Sequence, residues 1–317
     1  MRNLTKKYAL LLGGCLLSLG VCAQGVDSHP HGGAEQTAKG GQGAVEIDNE
    51  SGEEQSPITF RKSGLSLRSS MALVVDQKTG KVLYSKNTDA RAPIASITKL
   101  MTAMVVLDAK LPLGERLVIG NEDVDQLRNT HSRLRVGTKL SREMALQLAL
   151  MSSENRAASA LARHYPGGLS AFVAAMNHKA ASLGMSQTRF VDSSGLNGDN
   201  VSTAQDLVKL VQAAYQYPLI RDMTTTGSYD VAMKATGQRM QFKNTNILVR
   251  NGSWQIGLSK TGYINEAGHC LVMQAEIAKQ PMIIVLLDSW GKLSRIGDAQ
   301  RIKKWMESSL ASKRRYG

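Results

Sequence analysis

Ser96 and Lys99 stand three residues apart in the apolar run Ala92–Val106, "APIASITKLMTAMVV". The run predicts a helix, and residues three apart on a helix lie one turn apart on the same face. The two side chains can therefore meet. A serine hydroxyl becomes a useful nucleophile only when a neighbouring base takes its proton. A lysine is such a base only as the neutral amine, which requires a lowered pKa. Burial against Met and Val side chains lowers it, and so do a second cation nearby and the positive end of a helix. At the helix start the Ser96 N–H is also free to receive an oxyanion. Alone the pair is weak evidence, since S-x-x-K fixes two residues in four and a lysine at the end of an apolar face ordinarily reaches for water.

Two further segments raise its value. "MSSENRAA" places Ser153, Glu154 and Asn155 as S-x-N directly after an apolar helix, and "GLSKTGY" places Lys260, Thr261 and Gly262 as K-T-G on a strand-like run. A second K-T-G, at Lys78, falls in a turn ahead of Ser96, in the wrong order and context. The order S-x-x-K, S-x-N, K-T-G is the motif set of serine β-lactamases and penicillin-binding proteins. The stretches "RAPIASITKLMTAMVVLDA", "LALMSSENRAASALARHYPGG" and "KTGYINEAGHCLVM" carry a closer resemblance. The chain resembles the low-molecular-mass penicillin-binding proteins, specifically the penicillin-binding protein 7 type of D-alanyl-D-alanine endopeptidase, from about Met71 to Leu310. The resemblance implies an acyl-enzyme on Ser96 with Lys99 as general base. Ser153 would relay a proton between Lys99 and the leaving amine, and Asn155 would bind the substrate peptide and hold the lysine. Lys260 and Thr261 would bind the substrate carboxylate. The N–H of Tyr263 would complete the oxyanion hole with that of Ser96. Gly262, lacking a side chain, would let an extended substrate approach the strand edge. Glu154 stands where many relatives carry Gly or Asp; it reads as a solvated residue with no catalytic role.

The elements that must position these residues are legible in outline. "MALVVDQ" and "KVLYSK" read as strands joined by the turn Lys78–Gly80. Helices follow at the Ser96 segment, at about Ser141–Met151, and at Leu169–Leu183, which stops at Gly184. A further helix opens at "STAQD", where Thr203 and Asp206 have capping-box spacing. Strand signals return at "WQIGLSKTG", "HCLVMQAEIA" and "MIIVLLD", the last continuous enough for a central strand covered on both faces. A helix from about Ile296 to Leu310 closes the chain, and residues 311–317 form a basic tail. The order predicts an α/β (α+β) fold. One antiparallel sheet is built from both chain ends and flanked by helices, with a helical lobe inserted between, a single catalytic domain over 66–310.

The N-terminal part is different. Arg2, Lys6 and Lys7 precede an apolar run from Tyr8 to Val21, and "VCAQ" offers small residues at Val21 and Ala23, so residues 1–23 read as a secretory signal. The run is shorter than the roughly 20 residues of a membrane helix. A lipid-modified Cys15 would leave too short an apolar run before it. Cleavage near Ala23 removes Cys15 and Cys22, leaving Cys270 as a small buried side chain without a disulfide partner. An export signal with no disulfide fits a periplasm. Residues 24–65 read as a disordered acidic linker, too poor in apolar residues to offset chain entropy; His29 and His31 lie there with no further ligands. Over 24–62 the linker holds seven acids and three bases, whereas the whole chain carries +13, so the folded part is strongly basic. In an exported protein such a surface suits an anionic wall polymer or membrane surface, not nucleic acid. His131, His164, His178 and His269 are scattered, no metal-site spacing occurs, and no metal or organic cofactor is expected.

Four functions compete on this pattern. A β-lactamase needs a deacylating base, which in class A enzymes is a glutamate between the second and third motifs. No glutamate occurs from Asn155 to Ser259, so penicillin should inhibit this protein as a slowly released acyl group. A non-catalytic wall-binding scaffold has no need of both Ser96 and Lys99. Between a D,D-endopeptidase cutting cross-linked stem peptides and a D-alanyl-D-alanine carboxypeptidase, the resemblance points to the endopeptidase. The stretch after Gly262 is used by two strands and a helix, with none left for an added β-domain or amphipathic anchor.

Overall fold

A computed structural model describes residues 64–232 and 239–316. The expected signal, nearly all of the acidic linker, and His29 and His31 lie outside the described residues. The first strand, β1 (Met71–Asp76), turns into β2 (Val82–Lys86) through a hairpin. Gly80 takes a left-handed φ of 71° in that turn, and the Asp76 carboxylate accepts the N–H groups of Lys78 and Thr79. The Lys78 K-T-G is thus a turn, as expected.

The segment Ala92–Val106 is not one helix. Ala92–Pro93 forms a short strand, β3, which pairs with β6 (Val201–Ser202). A 3₁₀ turn over Ala95–Ile97 then leads into α1 (Thr98–Asp108). Pro93 disfavours helical backbone in the residue before it, and Ala95 has a left-handed φ of 47°, so the helix cannot begin until the turn is complete. From Thr98 to Val106 every residue of α1 is buried. A helix apolar on all sides belongs at the centre of a fold, and α1 is the axis around which the lobe packs.

That lobe comprises α2 (Arg142–Met151), capped by the Ser141 hydroxyl, α3 (Asn155–Arg163) and α4 (Gly168–Ser182). A small ribbon of β4 (Arg116–Val118) and β5 (Lys139–Ser141) precedes it. The next helix, α5 (Ala204–Tyr215), carries the expected Thr203 cap, whose hydroxyl accepts the N–H of Asp206. The Asp206 carboxylate instead accepts from Gln187 N and the Thr188 hydroxyl. After it come α6 (Pro218–Thr225), β7 (Ser228–Ala232), β8 (Arg239–Lys243) and the short α7 (Ile247–Arg250).

The chain then returns to the sheet with β9 (Gln255–Ile264), β10 (Gly268–Ile277) and β11 (Gln280–Ser289). All neighbours are antiparallel in the order β2-β1-β11-β10-β9. The run "MIIVLLD" is therefore the central strand. Ile283, Val285 and Leu287 face the main core with Leu73 and Val75, whereas Met282, Ile284 and Leu286 face a second core with Ala299, Ile302 and Met306. Those three belong to α8 (Ser294–Tyr316), which runs through residues 311–316 and so continues past Leu310, where the sequence reading ended it. Among the described residues, no helix is long and apolar enough to cross a membrane.

Candidate active site

Three segments bring the motif residues together: the 3₁₀ turn before α1, the turn between α2 and α3, and the edge strand β9. Lys99 sits one residue into α1 and is 1 % exposed. Its Nζ lies 2.7 Å from Ser96 Oγ, 2.8 Å from Asn155 Oδ1 and 2.7 Å from the Ser194 carbonyl oxygen. Burial lowers its pKa to about 7, and the charges of Asp192 and Glu154 push the other way. The partner set also fixes how the amine is used. The Asn155 amide oxygen and the Ser194 carbonyl can only accept, so each takes an N–H. A neutral amine has two N–H groups and one lone pair, which leaves the lone pair for the Ser96 hydroxyl proton.

The orientation of Asn155 is itself determined. Asp125 Oδ2 accepts the Thr130 hydroxyl proton at 2.7 Å, and Thr130 Oγ1 in turn accepts from Asn155 Nδ2 at 3.1 Å. The amide oxygen therefore faces Lys99. Ser153, one turn away, has a left-handed φ of 62°, an arrangement that costs about 1 kcal/mol or more for a residue with a Cβ. Its hydroxyl accepts from Lys260 Nζ at 2.9 Å, so in this arrangement Ser153 is tied to the K-T-G lysine.

On β9, Lys260 is buried, and its second contact is the Thr261 carbonyl at 2.9 Å. Burial, then the charges of Lys99 and Arg295, hold its pKa well below the ordinary lysine value. An anionic substrate group beside it would reverse that penalty. The Thr261 hydroxyl is 2.6 Å from that of Thr245. Gly262 has a different physical reason from the one expected. A Cβ there would lie 2.9 Å from the Ile94 carbonyl oxygen, 3.1 Å from Ala95 Cβ and 3.1 Å from Ser96 N. Its bare face is taken by the nucleophile turn, which packs directly on β9. The Tyr263 ring is exposed and stacks on His269 with centroids 4.2 Å apart.

Glu154 is a correction. It is half-buried and accepts a hydrogen bond from Ser132, and burial raises its pKa. Two other contributors gave no motif. The loop "DSSGLN" presents Ser194 O to Lys99. Asp192 holds it by accepting the N–H groups of Ser194 at 2.6 Å, Gly195 at 2.5 Å and Asn197 at 2.8 Å. Gly195, at φ 80°, passes so close to the nucleophile turn that a Cβ would stand 1.9 Å from Ala95 O. Arg295, at the start of α8, buries Nε and Nη1 without a protein partner and acts on Lys260 through its charge. The Asp, Ser, Gly and Asn residues of "DSSGLN" signal a loop in the sequence but not its place at the site; nothing in sequence signals Arg295. Cys270 is a buried free thiol, its pKa pushed up by burial to about 11. Among the described residues no group of three His, Cys, Asp or Glu side chains is placed to hold a metal.

Comparison with known proteins shows the family. The D-alanyl-D-alanine endopeptidase of Pseudomonas aeruginosa is 53% identical over 251 residues, covering 78% of this chain and 81% of that protein. The protein of the same name from Escherichia coli K12 is 50% identical over 242 residues, covering 76% and 78%. The crystal structure of the Streptomyces K15 DD-transpeptidase superposes with a TM-score of 0.70 at 30% identity, covering 78% of this chain and 98% of that one. The family model for D-alanyl-D-alanine carboxypeptidases matches residues 58–291, and the chain belongs to that family of serine peptidases, peptidase S11.

Proposed function

We propose that this protein is a serine D,D-endopeptidase that hydrolyses D-alanyl cross-links between peptidoglycan stem peptides. The observation that carries the chemistry is Lys99, tuned by burial to about 7 and 2.7 Å from Ser96. Ser96 Oγ attacks the D-alanyl carbonyl as Lys99 takes its proton. The oxyanion forms against the N–H groups of Ser96 and Tyr263. The proton that Lys99 took passes to the leaving amine through the Ser153 hydroxyl, which Lys260 holds by donating to it, and Lys99 returns to the neutral form. Asn155 keeps Lys99 in place, and Lys260, Thr261 and Arg295 attract the carboxylate beside the scissile bond. Water then releases the acyl group. Gly262 acts by admitting the nucleophile turn to β9.

The relatives named D-alanyl-D-alanine endopeptidase support cleavage between stems over release of a terminal residue. Penicillin should acylate Ser96 and persist. Both carboxylates that act on Lys99 are already engaged, Asp192 by backbone N–H groups and Glu154 by Ser132, so neither is placed to activate a deacylating water. A penicillin-binding protein of Listeria monocytogenes with TM-score 0.65 and 32% identity has been crystallised in an ampicillin-bound form. An exported, periplasmic location with a signal cleaved near Ala23 accounts for residues 1–23, and the basic balance of the remainder suits peripheral contact with an anionic wall or membrane surface.

Chromatography of digests tests the reading. Cross-linked dimers should become monomers, and a free pentapeptide should lose D-alanine slowly or not at all. Rapid D-alanine release with intact dimers would make the protein a carboxypeptidase. Labelled penicillin should map to Ser96 and fail to label Ser96→Ala; a label elsewhere would remove Ser96 from its role.

A further inference from the structure

A cavity of about 410 Å³ lies beside the turn that carries Ser153 and Asn155. One wall is Glu154 with His131 and Arg133; the other is Gln241, Phe242 and Lys243 from the end of β8. Each wall adjoins the reaction centre along the chain. Glu154 is the residue between Ser153 and Asn155. Lys243 is two residues before Thr245, whose hydroxyl meets that of Thr261. Ser153, Lys260 and Thr261 define the side on which the leaving amine and its carboxylate sit, so the cavity continues that side of the site.

Its chemistry is that of a binding surface. Arg133 lies over the Phe242 ring at 4.0 Å and donates to the Gln241 carbonyl at 2.7 Å, which fixes an exposed guanidinium at the rim. Lys243 and His131 are exposed beside it. Glu154, the one carboxylate in the lining, is turned to Ser132. The rim is therefore cationic, with an aromatic floor at Phe242. In a carboxypeptidase the leaving group is a single D-alanine, which ends at Lys260 and Thr261. In an endopeptidase it is a whole second stem peptide, an acidic chain whose further carboxylates need a place beyond those residues.

We propose that this cavity is the subsite for the leaving stem peptide, with Lys243 and Arg133 binding its carboxylates. The inference rests on the endopeptidase reading and adds to it the residues that select a cross-linked substrate. Lys243→Glu tests it, because Lys243 is exposed and the change leaves the core untouched. Lys78→Glu, in the β1–β2 turn, makes the same charge change elsewhere. The measured quantity is the ratio of dimer-cleavage kcat/KM to the second-order rate of benzylpenicillin acylation, which has no leaving peptide. In Lys243→Glu the ratio should fall about tenfold, mostly through KM, and the fall should shrink at high salt. Lys78→Glu should leave the ratio at the wild-type value. An unchanged ratio in Lys243→Glu, or an equal fall in Lys78→Glu, overturns the subsite. The wild-type digest is read separately: intact dimers there overturn the endopeptidase reading itself, whatever the variants do.

Discussion

The acylation rate of Ser96 should report the protonation of Lys99 directly. An ordinary lysine at pH 7 is neutral in about one molecule in three thousand, whereas a pKa of about 7 makes half of the molecules competent, a gain of roughly a thousandfold. The same shift, from 10.5 to about 7, means that the site as a whole, burial net of the Asp192 and Glu154 charges, disfavours the charged form by about 5 kcal/mol. The sign follows from the role. Because the neutral amine is the base, acylation should fall about tenfold per pH unit below about 7 and level off above it. The perturbation is Glu154→Gln, which keeps an oxygen for Ser132 but removes a negative charge that favours protonated Lys99. The inflection should move to lower pH, so that at pH 6 the variant acylates faster than wild type, with the two equal at pH 8.5. Stopped-flow measurement with a fluorescent penicillin from pH 5 to 9 follows the step without turnover. A flat profile, an inflection near 10, or a shift to higher pH in Glu154→Gln would refute the assignment of Lys99 as a burial-tuned base. Lys99→Arg supplies the complementary control, since guanidinium stays protonated; acylation should drop by several orders of magnitude in a protein that still folds, with a lowered melting temperature because the buried site now holds a fixed charge.

Other positions give sharper structural tests. Gly195→Ala would set a Cβ 1.9 Å from Ala95 O and 2.8 Å from Thr98 Oγ1 at a left-handed φ; a displacement of the nucleophile turn near 1 Å should slow acylation about a hundredfold, and penicillin labelling kinetics read it. Asn155→Ala leaves one Lys99 N–H without its acceptor at 2.8 Å, so acylation should fall by roughly ten- to a hundredfold while the far-ultraviolet circular dichroism stays unchanged. Lys260→Ala should lose about 2–4 kcal/mol of transition-state stabilisation, with Lys260→Arg retaining part of it, both read as kcat/KM on cross-linked dimers. Asp298 accepts Arg68 N, Ser69 N and the Ser69 hydroxyl at 3.0, 2.7 and 2.6 Å, tying the strand-entry segment to α8. Asp298→Ala should cost about 2–4 kcal/mol in urea denaturation and leave penicillin labelling of the folded protein intact.

What the sequence disclosed follows the physics of each signal. The motif residues are legible because their chemistry needs fixed side chains: Ser96 and Asn155 both bond Lys99, and Ser153 bonds Lys260. The central strand was legible because a strand buried on both faces must be apolar throughout. Backbone-level features were not. The β10–β11 turn uses Ala278 and Lys279, both left-handed at φ 52° and 65°, where Asn and Gly would announce such a turn. The helix starts at Thr98 and not at Ala92, a difference that apolar composition cannot reveal because it does not show the left-handed Ala95. Helix α3 gives no sequence signal, because its alanines look neutral until the lobe buries them. Gly262 was seen as room for substrate because only the three-dimensional fold shows what already occupies that room. The buried guanidinium of Arg295 lies beyond any local pattern, since its relation to Lys260 is made by the packing of α8 near the sheet.

The position of β11 between β1 and β10 has a consequence for biogenesis. The first strand made has no partner on its inner edge until nearly the last strand is made, because β1 pairs with β11 over Met71–Asp76 and Met282–Leu287. Until then the chain holds two separate hairpin systems, each with an open hydrogen-bonding edge, and the main core beneath them cannot close. Such non-local pairing folds slowly. The nucleophile turn, which packs on Gly262, receives that support only once the C-terminal strands have arrived. The active serine is thus assembled last, and the same late closure leaves the emerging strand edges open to mispairing during that interval.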